Sequence, residues 1–265
     1  MLIYIIILLI LIIQFNINHI NNNYNFKDII NNIQNPYLQS IKLLCERLYI
    51  TNIIEYSIKI SSNNINNKRE IIICKLYYKN DIINFIQYIN LSEKIKNFIY
   101  KCLINEDNNY KNYELIFGND NNIHKIYIYI PTEHIIYGLE YNNNIYYNRY
   151  YEEQITNKFP IQLLQKLLKN NNKITDIINC LKTLPNNIKI FKKFNHKNIY
   201  EALHIGYNKL LIREYISQIK NLLHIIENKN KIIINNWIEA NINKNIYLIG
   251  ITYKNNNINI TFYYR

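Results

Sequence analysis

The chain has 265 residues, of which 49 % are hydrophobic, and a formal net charge of +12. This excludes a disordered tail, leaves room for one large domain or two small ones, and favours anionic partners: nucleic acid, a membrane surface or a phosphorylated small molecule. Its four glycines are too scattered for a phosphate-binding loop or a dinucleotide turn, and Cys45, Cys74, Cys102 and Cys180 form no CxxC pair and read as reduced, packed thiols.

Asn, Ile, Lys and Tyr dominate, a bias expected of an AT-rich genome, so the Asn runs carry little structural information. Residues 1–15, MLIYIIILLILIIQF, are apolar except for Gln14. As a helix they would reach about 22 Å, short of a roughly 30 Å hydrocarbon core. They read as a membrane anchor or a buried first element, giving a cytoplasmic or membrane-associated protein; without a small-residue cleavage site they do not resemble a cleaved signal peptide. Residues 16–36 read as an Asn-rich linker, and 37–265 as a single domain.

From Tyr37 to Leu48 apolar residues recur at three and four, which predicts a helix. Ile53–Ile60 and Glu70–Tyr78 predict a hairpin across the polar run Ser61–Arg69. Helical spacing returns over Asp81–Ile104, with Ser92 placed to cap a turn. Tyr113–Phe117 with Lys125–Ile130 predicts a second hairpin, and Ile135–Tyr141 with Ile145–Tyr151 a third. Pro160 opens a helical stretch to Leu184, broken at 170–172. Ile188–Phe194, Tyr200–Tyr207 and Leu210–Tyr215 predict strands, and Ile216–Ile226 a further helix. Trp237 is expected in the core, and the chain closes with strands Ile246–Tyr253 and Ile258–Tyr264.

A repeat runs through these elements. Gly138, Tyr141, Ile145 and Tyr150-Tyr151 correspond in spacing to Gly250, Tyr253, Ile258 and Tyr263-Tyr264, with a fainter version from Ile72 to Tyr77-Tyr78. A unit of one helix and one antiparallel hairpin, used about five times, predicts an α+β fold: a closed antiparallel barrel of about ten strands ringed by helices. Closure would also remove the exposed edges of so many Ile- and Tyr-rich strands.

Side chains in a strand alternate between faces. Lys125, Tyr127 and Tyr129 therefore share one face, with Ile126, Ile128 and Ile130 on the other. If helices cover the aliphatic face, Glu55, Lys75, Tyr77, Lys125, Tyr127, Tyr129, Arg149 and Tyr151 point into the lumen. Lys and Arg there would suit a diphosphate, Tyr ring faces would stabilise a cation, and a carboxylate would serve as a general base. His124 and His134 flank strands and are expected to be structural.

IEYSIK (Ile54–Lys59), KIYIYIP (Lys125–Pro131) and the ending IYLIGITYKNNNINITFYYR resemble motifs of the aromatic prenyltransferases of the ABBA barrel, in their dimethylallyltryptophan synthase branch. NIKIF (187–191) resembles a further Lys-x-Tyr strand of that family, with Phe191 in place of the Tyr. The resemblance spans residues 50–265 discontinuously, and the apolar start is not a family feature. It implies transfer of a dimethylallyl or longer prenyl group from its diphosphate to an indole or phenol, carried by a small molecule or peptide. Prenyl diphosphate is then a co-substrate, and neither metal nor other cofactor is needed. Glu55 is implied as the base, with Lys75, Lys125, Arg149 and Lys189 on the diphosphate and Tyr77, Tyr127, Tyr151 and Tyr263 shielding the cation. The Arg expected on the second strand is either Arg69 or replaced by Lys75. A monomer is expected. Two alternatives stand beside this reading: a basic nucleic-acid-binding protein using Lys for phosphate and Tyr for stacking, and a non-enzymatic protein anchored to a membrane through residues 1–15.

Overall fold

A computed structural model describes residues 35–265 except 62–63, 105, 107–110, 121–122, 142–144, 157–158, 170, 186–187, 227–230 and 255–256. The expectations for the apolar stretch 1–15 and for the linker up to residue 34 lie outside the described residues.

Helix α1 (Pro36–Arg47) opens the fold. The side chain of Asn35 accepts from the backbone of Tyr37 and Leu38 at 3.0 and 3.2 Å, and Pro36 fills the first turn, where its missing N–H costs nothing. Strands β1 (Asn52–Ser61) and β2 (Ile65–Leu76) follow, then helices α2 (Lys79–Tyr88) and α3 (Glu93–Leu103). Four strands come next without a helix: β3 (Tyr113–Asp120), β4 (Ile123–Ile130), β5 (Ile135–Tyr141) and β6 (Ile145–Thr156). Helices α4 (Ile161–Leu168) and α5 (Ile174–Lys182) lead to β7 (Ile188–Asn195) and β8 (Tyr200–Tyr207). A short 3-10 turn (Ile212–Glu214), α6 (Ile216–Ile225) and α7 (Lys231–Ala240) lead to β9 (Ile246–Lys254) and β10 (Asn257–Tyr264).

The ten strands close on themselves in the order β1-β10-β9-β8-β7-β6-β5-β4-β3-β2, with every neighbouring pair antiparallel. This is the α+β barrel that the hairpin repeat predicts. Closure satisfies the backbone of every strand without leaving an edge.

Several local expectations need correction. The polar run after Ser61 is not one long turn, because β2 already begins at Ile65. The stretch from Asp81 divides into two helices; Ser92 stands at the second N-terminus, but its side chain makes no capping hydrogen bond. Leu210–Tyr215 is not a strand: Leu211 makes one bridge to Asn245, and the chain then turns. Helix α7 stands where the sequence predicts no element, but Trp237, which it carries, is buried in the core as expected, beside Phe262 and Tyr264 at ring distances of 5.7 and 5.5 Å. No helix separates β4 from β5, so the helix–hairpin unit is interrupted there.

The outer aliphatic face meets the helices in two cores. One joins α1, α2 and α3 to β2, β3 and β4 through residues such as Leu38, Phe85, Ile99, Phe117 and Ile128. The other joins the later helices to β7–β10 through Leu167, Leu181, Leu222, Ile205 and Phe262. Burying side chains of this kind contributes about 1.5–3 kcal/mol each before entropy is counted. Cys45 on α1 and Cys74 on β2, 29 positions apart in sequence, are free thiols whose Sγ atoms lie 3.2 Å apart in the first core. Among the described residues no helix is long and apolar enough to cross a membrane.

Candidate active site in the barrel lumen

The topology gives the barrel two unlike ends. All helical connections leave and return at one end, which also holds the 131–134 turn; the other, the hairpin end, is where β1, β3, β5, β7 and β9 finish at Ser61, Asp120, Tyr141, Asn195 and Lys254. Alternation along each strand sends one set of side chains into the lumen, and register aligns them in layers.

Near the helix end, Glu55 of β1 is 2 % exposed. Its Oε1 accepts from Arg265 Nε at 2.8 Å and Nη2 at 2.5 Å, and its Oε2 accepts from the Tyr247 hydroxyl. The Arg265 guanidinium also lies over the Tyr247 ring, 4.6 Å from its centre. Burial raises the Glu55 pKa above the usual carboxylate range, although the Tyr247 and Arg265 bonds oppose it. Burial likewise raises that of Glu114, on β3. Glu152 of β6 accepts from Lys189 Nζ at 3.0 Å and from the Tyr129 hydroxyl at 3.2 Å.

The middle of the lumen is aromatic. Tyr127 meets Tyr150 edge-on at 5.8 Å, Tyr150 meets His204 at 5.5 Å, and His204 meets Tyr263 at 6.0 Å. Two glycines make room for these rings. A Cβ on Gly138 would lie 2.6 Å from the Tyr127 ring, and one on Gly250 would lie 3.0 Å from that of His204. Burial pushes the Tyr150 hydroxyl up to about 12 and that of Tyr127 well above its ordinary value, so both remain neutral donors.

Toward the hairpin end the lumen is cationic. Arg69 Nε and Lys125 Nζ each lie 3.1 Å from Asp120 Oδ2. Lys125 Nζ is also 3.9 Å from Glu140, and Lys193 Nζ is 3.1 Å from it. Lys59 lines the same cavity. Burial disfavours ionisation of Asp120 and Glu140, but the surrounding cations outweigh it and hold both carboxyls below the usual range. Lys125 is pushed down by burial and by Arg69 and Lys193, despite its carboxylate partners. Lys59 is pushed down by burial and then by Arg69. Arg69 is 8 % exposed, and among the described residues neither its Nη1 nor its Nε finds a hydrogen-bond partner, although Nε lies 3.1 Å from Asp120. Ser57 Oγ, on the same face, is buried and also has no partner among the described residues.

Two cavities occupy this lumen. One of about 470 Å³ runs from Glu55 and Arg265 to Tyr263, and the other, of about 800 Å³, takes in Lys59, Glu140 and Lys193. They share Tyr127, Tyr150, His204 and Tyr263 together with Arg69, Asp120 and Lys125, so the aromatic layer and the near side of the cation cluster lie where they meet.

Of the residues singled out in the sequence, Glu55, Lys125, Tyr127 and Tyr263 come together in the lumen. Lys189 also faces inward, with its side chain 48 % exposed and paired to Glu152. Four residues fall elsewhere. Lys75 is exposed at the rim opposite Glu114, while Arg69 occupies the interior position on β2. Tyr77 lies beyond the last residue of β2 and is 63 % exposed. Arg149 and Tyr151 are on the outer face, because the β5–β6 register turns Asn148 and Tyr150 inward opposite Gly138 and Ile136. Tyr151 packs there on Phe194 at 5.5 Å, and Arg149 is exposed.

Sequence reasoning missed Tyr150, Lys193, His204, Asp120, Glu140, Tyr247 and Arg265. Two signals were present. The spacing repeat pairs Tyr150, rather than Tyr151, with Tyr263. The alternation Lys189, Phe191, Lys193 extends the inward face of β7 by one more cation. No protein-family model matches the chain, and no curated protein does either.

Proposed function

We propose that the barrel is an aromatic prenyltransferase, which takes a prenyl diphosphate as donor and an indole or phenol as acceptor. The observation that carries this reading is the order of groups along one lumen: a buried carboxylate, a layer of aromatic rings, then a cation cluster. Friedel–Crafts alkylation by an allylic diphosphate needs these three environments in this sequence. The motif resemblance supports the same reading.

In the proposed reaction, the donor diphosphate sits among Lys59, Arg69, Lys125 and Lys193. This set replaces the one the sequence suggested, in which Lys75 and Arg149 do not reach the lumen. The allylic C–O bond breaks and its electron pair leaves with the diphosphate, whose growing charge the fixed cations stabilise. The allylic cation lies against the faces of Tyr127, Tyr150 and Tyr263, which lower its energy and exclude water. An aromatic carbon of the acceptor attacks from the Glu55 side and forms the new C–C bond. The resulting arenium ion loses its ring proton to Glu55, whose burial makes it a stronger base than an exposed carboxylate.

The test is binding of dimethylallyl thiolodiphosphate, a slowly ionising donor analogue, to the full-length protein without added metal. Saturable binding that is lost in Lys125→Ala is the expected result. Absence of binding by the folded protein would overturn the reading. Binding to single-stranded nucleic acid with steep salt dependence, in place of the analogue, would favour the nucleic-acid alternative.

A further inference from the structure

His204 is a buried, ionisable group at the junction of the two cavities that the reaction above leaves without a task. It sits on β8, 8 % exposed, with its ring held between Tyr150 of β6 and Tyr263 of β10. No hydrogen bond joins its ring to a described residue, and it lines both cavities, so its nitrogens are open to water or to a bound ligand. Its paired position on the neighbouring strand β9 is Gly250, and that missing side chain lets the imidazole lie close against β9.

Its electrostatic surroundings are one-sided. The charged groups acting on it are Lys193 of β7, Arg69 of β2 and Lys125 of β4. The phenols of Tyr150 and Tyr127 are neutral neighbours. The nearby carboxylates are already engaged: Asp120 by Arg69 and Lys125, Glu140 by Lys125 and Lys193. Glu201 of its own strand accepts from Asn195 Nδ2.

We propose that His204 is a second proton acceptor of the lumen, and that it takes a proton only while a polyanion occupies the cluster of Lys59, Arg69, Lys125 and Lys193. The inference rests on the donor-binding reading above. In the free protein, burial and these cations hold the imidazole neutral, with its pKa depressed to about 3. A bound diphosphate cancels the cationic field and adds negative charge beside the ring, so the imidazole becomes basic.

The proton balance then closes. At a pH above that raised value the bound-state imidazole is still neutral, and when an arenium ion forms within reach of His204 rather than Glu55 its ring proton moves to an imidazole nitrogen, while the C–H electron pair restores the aromatic ring. The imidazolium is held by the cleaved pyrophosphate. When pyrophosphate leaves, the cationic field returns and expels the proton to solvent, so proton and leaving group depart in one coupled step. An acceptor alkylated at two ring positions would thus have an acceptor for each proton, Glu55 toward the helix end and His204 in the middle.

The experiment is calorimetric titration of the full-length protein with inorganic pyrophosphate at about pH 6, in two buffers of different ionisation heat, for wild type and His204→Gln. Wild type is expected to take up about one proton more per bound pyrophosphate than the variant. Pyrophosphate binding with equal proton uptake in both proteins overturns the role of His204 and leaves the donor site standing. Absence of pyrophosphate binding overturns both. If His204→Gln fails to fold, proton NMR of the wild-type imidazoles decides. One histidine should stay neutral through about pH 5 in the free protein and titrate near neutrality with pyrophosphate bound; a titration unmoved by pyrophosphate overturns the proposal.

Discussion

Carboxyl groups at the two ends of the lumen are driven in opposite directions. Glu55 and Glu114, toward the helix end, have their pKa values raised, whereas Asp120 and Glu140, toward the hairpin end, have theirs lowered. All four are largely buried, so desolvation penalises each of them. The difference lies in the cations. Asp120 and Glu140 share Arg69, Lys125 and Lys193, while Glu55 has one guanidinium that is itself 47 % exposed. The same residue types thus give one end of the lumen carboxyls of raised pKa and the other end carboxyls held ionised among cations.

Arg69→Ala should break this polarity most severely. It leaves Asp120 with Lys125 as its nearest cation and opens a void beside Tyr263, over whose ring the guanidinium lies at 5.9 Å. Removing one partner of a buried pair costs about 3–5 kcal/mol. Urea unfolding should register that loss, and pyrophosphate affinity should fall with it. An unfolding midpoint unchanged from wild type would show that Asp120 does not depend on Arg69.

Glu55→Gln separates stability from chemistry. With the proposed donor and an indole acceptor, product formation should fall by about 10²-fold or more, the usual share of a general base. Stability at neutral pH should rise instead, because burial is the largest influence on Glu55 and makes its ionised form the costlier one. A variant that is both inactive and strongly destabilised would mean that the Arg265 pair outweighs burial.

Gly138→Ala acts on the layer between the two ends. Its new methyl would come within 2.6 Å of Tyr127, whereas the same change at Gly118 meets nothing nearer than 3.6 Å. Overpacking of the first kind costs about 1–3 kcal/mol. Thermal unfolding of the pair should therefore show Gly118→Ala close to wild type and Gly138→Ala clearly below it. Equal midpoints would show that the Tyr127 ring swings aside freely.

The barrel was legible in sequence because strand alternation is a local signal. Lys125, Tyr127 and Tyr129 against Ile126, Ile128 and Ile130 determine which way β4 faces, whatever its neighbours do. The same holds for Glu55, Ser57 and Lys59 on β1. In β6 the signal fails, since Tyr146, Tyr147, Tyr150 and Tyr151 put aromatic rings on both faces. Only pairing with β5 sets its phase, and that turns Arg149 outward. Helix α7 was missed because Ile232, Ile233 and Ile234 run together without a clear three-four spacing, although only Ile234 is buried. The ion pairs of the lumen join strands far apart in the chain, such as Glu55 with Arg265, and no local pattern encodes them.

Acid titration of the free protein offers the finest test of the contrast. Glu55 and Glu114, with pKa values above their unfolded ones, cost stability at neutral pH; that cost disappears as pH falls through their raised values toward 4.5. His204 behaves in the opposite sense. Its folded value of about 3 lies below the ordinary 6.5, so the unfolded chain binds the proton first and stability falls as pH drops across that interval. Asp120 and Glu140 add a later loss, confined to pH below their ordinary values of 3.8 and 4.5. In wild type the early terms oppose each other and the net slope should be shallow. The substitutions separate them. Between neutrality and about pH 4.5, Glu55→Gln should lose stability with acid more steeply than wild type, and His204→Gln less steeply. Both differences are read from urea midpoints at successive pH values. Two differences of the same sign would mean that the two regions share one electrostatic environment, and the polarity drawn from the lumen would not hold.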